Sequence, residues 1–390
     1  MAKLSVGFSS KDPIPSFLIG EIKGKLAYVD ERIIEGQVSD DGEKITLFLK
    51  EGITPAEKGK IEAKTQRVIS GIVKSAFRPR TQTLEDHLDR KTGYKLDPMV
   101  ELIKKGEVQQ ETNGVYVVGP LITKLINYFE NIFLDLASGF DAAPYRFPTL
   151  IPAKYLERVS YFKAFPHSLS FATHLRSDLD VIEDFSQHAH CDEHGISTPM
   201  SSFAQIETLL SPAVCYHLYF ALADKPLPGD KLSATAVGNC FRYESSNLVS
   251  LERLWNFTMR EIIFVGSKEY VLDNRETARQ RMETKFNEMG FCYKVESAND
   301  PFFIGEFKQA AFQNAFQLKF EIRASLPFKK STLAVGSYNH HQDFFGRNLN
   351  ITLSDGKPVH TGCVAFGLER IAYAFLAQFG LDMRDWPIVI

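Results

Sequence analysis

The spacing of apolar residues changes character along the chain, and the change falls near Val115. Upstream, residues 16–22 and 26–28 read as short strand-like runs, and residues 45–49 alternate as a half-buried strand does. A helix is predicted from Thr54, where Thr-Pro supplies an N-cap and a first helical residue, to about Ser75. The polar stretch 104–113 reads as a linker. Downstream, Leu121, Leu125, Ile126, Phe129, Ile132 and Phe133 fall at helical spacing and predict a long amphipathic helix over 121–136. Pro148 and Pro152 then break the pattern into an extended segment over 145–152. Strand–loop–strand patterns dominate 234–265, and the chain closes with a strand over 360–366 running into a helix over 368–379. The expected organisation is a small α+β unit over residues 1–110 and a larger one over 111–390.

Composition sharpens this in three ways. A chain of 390 residues can bury one large core beside a smaller one, and 31 phenylalanines point to a core packed with large flat side chains. The net charge of −3 removes the simplest argument for nucleic-acid binding, an overall basic excess, without excluding it. One local excess exists: Lys58, Lys60, Lys64, Arg67 and Lys74 lie along the helix predicted from Thr54, followed by Arg78 and Arg80. It is either a docking surface for an acidic partner or, as is commoner, a solvated helix face. Five scattered cysteines do not make a disulfide framework, so reduced thiols, some of them on a metal, are expected. Neither an apolar signal region nor an apolar run of membrane-spanning length occurs, and the expected location is the cytoplasm.

Two stretches carry residue types that suit a nucleotide. In Cys240-Phe-Arg-Tyr-Glu244 a strand would turn Arg242 and Glu244 to one face and Phe241 and Tyr243 to the other. After a loop over 245–253, residues 255–265 read as an antiparallel return strand with Phe257, Met259 and Glu261 on one face. There a guanidinium would hold a phosphate, an aromatic ring would stack on a base, and a carboxylate would accept from an amine. Charged strand residues are equally often a solvated face, so the residues alone leave both readings open. The second stretch, from His360 to Arg370, breaks from strand to helix at Gly367 and puts Arg370 in the first helical turn. A cation there opposes the helix dipole and calls for an anion such as a triphosphate. A surface arginine in water is the plainer alternative.

These stretches are similar to motifs 2 and 3 of the class II aminoacyl-tRNA synthetases, and Phe147-Pro148 is similar to motif 1, their dimer-forming element. From about Gly114 to Pro387 the chain resembles, more narrowly, the amino acid:[carrier protein] ligases. These are homologues of the catalytic core of the atypical, methanogen-type seryl-tRNA synthetases. The matching stretches lie at 161–166, 210–216, 241–244, 257–261, 298–303, 318–321, 337–343 and 360–363. The resemblance implies an α+β fold, with a class II antiparallel sheet flanked by helices and an additional small N-terminal domain for acceptor or partner recognition. It also implies a homodimer. It implies a Zn2+ site formed by Cys215, Glu261 and Cys363, with a fourth position open to the substrate's amino group. Spacing would not have found these ligands, and by residue type alone Cys215 and Cys363 read as buried structural cysteines. By the same resemblance Arg242 holds the α-phosphate of ATP, Glu244 the adenine or amino-acid side, Phe257 the adenine face and Arg370 the γ-phosphate. Glu321 and Asn339 sit where the family places Mg2+ and substrate contacts. The implied chemistry is attack of a small amino acid's carboxylate on ATP to give an aminoacyl-adenylate, then transfer to a nucleophile.

In the carrier-protein ligases that nucleophile is a phosphopantetheine thiol, and in the synthetases it is a tRNA 3′ end. No anticodon-binding module is evident after motif 3, which favours a carrier protein. No Asp-Ser-Leu-like attachment site occurs, so the carrier is expected to be a separate chain. An acceptor of another kind (tRNA, or a small amine or peptide) is the alternative. A non-catalytic paralogue that binds and regulates is a third reading, opposed by the intact Arg242, Glu244, Arg370 and zinc ligands. Two departures stand out. The compact ligases lack the N-terminal unit, whose basic helix would suit an acidic carrier or tRNA alike. Thr258 stands where relatives carry Arg within Phe-x-Met-Arg-Glu. A rival metal cluster, His188, His190, Cys191 and His194, matches nothing functional in the family.

Overall fold

In the computed structural model, which describes residues 2–7, 13–75, 81–193, 195–298 and 318–389, the chain begins with β1 (Ala2–Gly7), α1 (Ile19–Leu26), β2 (Ile33–Val38), β3 (Lys44–Leu49) and α2 (Pro55–Ser75). The strands form an antiparallel sheet in the order β1–β3–β2. Ile45, Leu47 and Leu49 point inward from β3 as their alternation predicts, and Ile61, Ile69 and Ile72 of α2 pack into the same core. Helix α2 starts where expected: the Thr54 amide donates to Glu57 Oε2 at 2.9 Å and the Glu57 amide returns to Thr54 Oγ1 at 3.4 Å, a reciprocal cap. Residues 16–22 and 26–28, expected as strands, are instead a 3-10 turn, α1 and the turn after it. Leu18, Ile22 and Leu26 lie four apart on one buried face, and that helical spacing decides the conformation.

The polar stretch 104–113 is not a linker. It contains the end of α3 (Pro98–Lys104) and all of β5 (Val108–Thr112), which pairs with β6 (Val115–Val118). Met99, Leu102 and Val108 are buried in the main core, and β4 (Thr83–Asp86) is an edge strand of the main sheet. The division between cores therefore lies between α2 and β4, not at residue 110 as expected. Helix α4 (Pro120–Ser138) is the long amphipathic helix of the sequence, with Leu125, Phe129 and Phe133 buried. Short elements follow: β7 (Ala143–Pro144), β8 (Leu150–Pro152), α5 (Ala153–Arg158), α6 (Tyr161–Ala164), β9 (Phe171–Ala172), α7 (Leu179–His188), β10 (His190–Asp192), β11 (Gly195–Ser197), β12 (Thr208–Leu210) and α8 (Cys215–Ala221).

The rest is sheet and covering helix: β13 (Lys231–Phe241), β14 (Asn256–Gly266), α9 (Lys268–Glu288), β15 (Tyr293–Ser297), β16 (Lys319–Leu326), β17 (Ser331–Gln342), α10 (Phe344–Leu349), β18 (His360–Gly367) and α11 (Leu368–Phe379). The main sheet runs β4–β15–β16–β17–β18–β14–β13–β7, and each pairing is antiparallel except β13 with β7. Helices α4, α9 and α11 cover one face, where Phe133 stacks on Phe366 with ring centroids 3.8 Å apart. Between α4 and β14, Arg260 pairs with Glu130 and donates to Thr235 Oγ1 at 3.1 Å, largely out of water. Arg260→Met would leave that carboxylate unpaired. The expected cost is about 3 kcal/mol, measured by urea unfolding, and a cost near zero would mean that the pair is solvated.

Candidate active site

Side chains two residues apart on a strand share a face. On β14, Ile262 and Phe264 enter the helix-covered core, which turns Phe257, Met259 and Glu261 to the other side. Register extends that side across the sheet: Glu261 lies opposite Ala365, Ile263 opposite Cys363, Asn339 opposite Cys363, and Ser337 opposite both Ala365 and Glu321. Phe257, Glu261, Cys363, Asn339 and Glu321 thus stand on one surface with small residues between them. Phe257 and Glu261, four residues apart, are separated by about 13 Å along the strand.

At one end of this surface Cys215, at the start of α8, meets Glu261 and Cys363. Their ligand atoms all lie within 4.8 Å of one another, and all three residues are buried. Burial holds the Glu261 carboxyl above its ordinary range. The Cys363 thiol and burial push Cys215 well above the usual thiol range. Cys363 is also raised, the contact with Cys215 being outweighed by burial and the Glu261 charge. The cluster has donors around it. The Val214 amide donates to Glu261 Oε1 at 3.0 Å, and Asn339 Nδ2 reaches Cys363 Sγ at 3.4 Å. Glu261 Oε2 is buried without a partner. Tyr219, one helical turn after Cys215, buries a hydroxyl that likewise has none. Buried polar atoms are seldom left so. A cation between two thiolates and a carboxylate would satisfy the oxygen and reverse all three shifts.

At the other end the guanidinium of Arg242 lies over the Phe257 ring, 5.4 Å from its centroid, and Arg242 Nε donates to the Pro212 carbonyl at 3.0 Å. Strand β13 ends at Phe241, so Glu244 is carried not by a strand, as expected, but by the loop beyond it. The carboxylate pairs with Arg253 and faces Arg370 Nη2 at 4.0 Å. Burial works against its charge, but Arg253, Arg370 and Arg242 outweigh burial and hold the carboxyl below its usual range. Arg370 does occupy the first turn of α11, and Glu244 supplies the anion its position calls for. The loop is strained: Ser245 and Ser250 have φ of 53° and 55°, left-handed values that cost a non-glycine residue about 1–3 kcal/mol each. Glu321 stands apart, accepting from Arg323 at 2.8 Å and facing Lys319 at 3.4 Å.

Two neighbours of these residues escaped the sequence reading. Arg253 falls at the end of the loop and carries no motif. Glu369, beside Arg370, accepts the Thr258 amide on both carboxylate oxygens at 2.9 Å, so it locks α11 to β14 next to the departing Thr258. The rival cluster does not assemble among the described residues. His188 bonds Asp184 at 2.9 Å, His190 faces the His188 carbonyl at 3.1 Å, Cys191 is exposed, and His194 lies outside the described residues. Of the stretch 298–303 only Ala298 is described, and Arg78 and Arg80 fall outside as well. A second group, Glu85, His87 and Glu283, also brings ligand atoms together, but Arg279 already pairs with both carboxylates.

A largely antiparallel sheet covered by helices on one face is the fold of the class II aminoacyl-tRNA synthetase core. The profile of the tRNA synthetase class II core domain (G, H, P, S and T) matches residues 206–379. Amino acid–[acyl-carrier-protein] ligase 1 of Bradyrhizobium diazoefficiens is 33% identical over 295 residues, 75% of this chain and 88% of that protein. Ligase 2 of that organism is 35% identical over 63% of this chain and 72% of its own length. The chain belongs to the amino acid–[acyl-carrier-protein] ligase family. It is also 22% identical to the type-2 serine–tRNA ligase of Methanopyrus kandleri over 94% of this chain and 70% of that one. The M. kandleri SerRS crystallised with A. aeolicus tRNASec superposes with a TM-score of 0.71 at 18% identity, covering 99% of this chain and 76% of that one. The N-terminal unit therefore shares a fold with a synthetase as well. No helix among the described residues is long and apolar enough to cross a membrane.

Proposed function

We propose that this chain activates a small amino acid with ATP as the aminoacyl-adenylate and transfers the aminoacyl group to the phosphopantetheine thiol of a carrier protein. One observation carries the reading: a buried cluster of two thiols and one carboxylate shares a sheet face with the Arg242–Phe257 and Glu244–Arg370 groups. The cluster fits Zn2+ by donor type and by the unpartnered Glu261 oxygen. Cys215, Glu261 and Cys363 would hold the ion, and its remaining position would supply a Lewis-acid contact to the substrate's amino group.

The chain's own residues orient the rest. Phe257 takes the adenine face, Arg242 the α-phosphate and Arg370 the γ-phosphate, while Glu244 faces Arg370 and orients it. Asn339 fixes Cys363 and borders the amino-acid position. Glu321 would be a ligand to phosphate-bound Mg2+ only after exchanging its present cationic partners. The substrate carboxylate attacks the α-phosphorus and pyrophosphate leaves, with Arg242 and Arg370 meeting charge that builds on the phosphate oxygens. The carrier thiol, losing its proton, then attacks the activated carbonyl and AMP leaves. Residues 2–75 would receive the acceptor, with exposed Lys60 and Arg67 of α2 complementing an acidic carrier. A homodimer would form through the segment after α4, where Tyr145 and Leu150 are exposed.

One observation favours a second acceptor, tRNA: the superposition on a synthetase crystallised with tRNA covers 99% of the chain. The test is ATP–pyrophosphate exchange on zinc-loaded protein over all twenty amino acids, followed by transfer of the labelled amino acid. Exchange with one or two small amino acids is expected, and label should pass to a phosphopantetheinylated carrier protein in a form that survives ribonuclease. Ribonuclease-sensitive label would establish tRNA instead. No exchange with any amino acid would count against the activating reading.

A further inference from the structure

We infer that α1 of the N-terminal unit is a positioning element of the activation site: it holds the loop that carries Glu244. The inference rests on the proposed place of Glu244 between the site's arginines and adds the requirement that the N-terminal unit keep it there.

The loop after β13 has turns of its own, the Asn247 amide donating to the Glu244 carbonyl at 3.0 Å and the Leu248 amide to the Ser245 carbonyl at 3.2 Å, but its backbone is strained. Ser245 and Ser250 stand in left-handed backbone that serine does not choose, and such conformations persist only where the surroundings over-determine them. Part of the restraint comes from the catalytic core. The Arg242 amide donates to the Trp255 carbonyl at 2.9 Å and the Tyr243 amide to the Ser168 carbonyl at 3.1 Å. Lys329 pairs with Glu252 and Leu251 is buried in the main core. A further part comes from the N-terminal unit and brackets residue 244 on both sides. Tyr28 Oη donates to the Tyr243 carbonyl at 3.4 Å, Ser245 Oγ to the Ala27 carbonyl at 3.3 Å, and Asn247 Nδ2 to the Gly24 carbonyl at 3.0 Å. Carbonyls in the last turn of a helix have no amide partner within it. Those of Lys25 and Leu26 accept the Tyr28 and Val29 amides, while those of Gly24 and Ala27 are met by side chains of the loop. The Tyr28 ring closes the bracket edge-on against His167, centroids 4.8 Å apart, beside the residue whose carbonyl restrains Tyr243. The contacts fall at 243, 245 and 247, around the Glu244 carboxylate that faces Arg370.

The test uses the full chain carrying Tyr28→Phe and Asn247→Ala together, with Tyr28→Phe alone as a milder variant that keeps the ring against His167. Hydrogen exchange of peptides spanning 242–253 is expected to speed up at least tenfold in the double variant. The kcat/KM for ATP in pyrophosphate exchange should fall roughly tenfold, with zinc content and thermal midpoint unchanged. Glu244→Gln should cost much less in that background than in the wild type, because both changes act through one carboxylate. Unchanged loop exchange and ATP kinetics in the double variant, while Glu244→Gln alone impairs exchange, would overturn the positioning role. Wild-type kinetics in Glu244→Gln alone would instead overturn the underlying reading of Glu244, and the inference with it.

Discussion

Cys215→Ala and Cys363→Ala are each expected to abolish zinc binding at the proposed site and to lower amino-acid-dependent pyrophosphate exchange by more than about 100-fold. Partners that merely orient a metal ligand are worth 10–100-fold in affinity or activity, and loss of a ligand should exceed that. In this cluster each deletion leaves one thiol and one carboxylate, buried and pushed toward their neutral forms. Two neutral donors hold a divalent ion poorly. Metal analysis of the purified variants decides the matter before any kinetics. Full zinc occupancy in both would end the assignment of these residues as ligands. Lost metal with intact exchange would leave the ligands standing and remove the ion from the reaction.

Arg370→Ala should do the opposite. Zinc stays, because Arg370 belongs to the far end of the sheet surface, and kcat/KM for ATP falls on the order of 100-fold, the scale seen when one preorganised donor to a developing negative charge is removed. Burial lowers the pKa of this guanidinium and the Glu244 charge opposes the shift, so the protein invests in a cation there. Arg370→Lys should recover only part of the loss, since an ammonium lacks the planar fork that grips two phosphate oxygens. ATP kinetics indistinguishable from wild type in Arg370→Ala would show that the arginine serves the loop and not the nucleotide.

How much of this was legible depended on whether the deciding interactions were local. The helix after Pro120, the β13–β14 hairpin and the strand-to-helix break at Gly367 were readable because periodicity and the break residue lie within one stretch. Residues 16–28 misled because apolar content was read as strand while the four-residue interval of Leu18, Ile22 and Leu26 carried the information. Residues 104–113 misled because polarity was taken for absence of structure, although a hairpin with one solvated side is polar by necessity. The site divides in the same way. Arg242, Phe257 and Arg370 sit in motifs, and the structure brings Arg242 over the Phe257 ring. Cys215, Glu261 and Cys363 come from a helix start and two strands. Only register joins them, and single-chain spacing holds no trace of that. Arg253 matters through the Glu244 carboxylate it meets across the loop, and no local signal marks it.

The edge strand β4 has a consequence for how the molecule is made. Its partner β15 pairs with it from far later in the chain. At about 5–20 residues per second of synthesis, β4 waits on the order of ten to forty seconds for that partner to leave the ribosome. The first unit, with a core ending at Val73 and a sheet whose strands are sequence neighbours, can fold meanwhile. Strand β4 cannot pair until then, and its backbone edge stays unsatisfied. Nascent chains should therefore pause as a folded head on an open tether, and a chaperone that shields strand edges would act on β4.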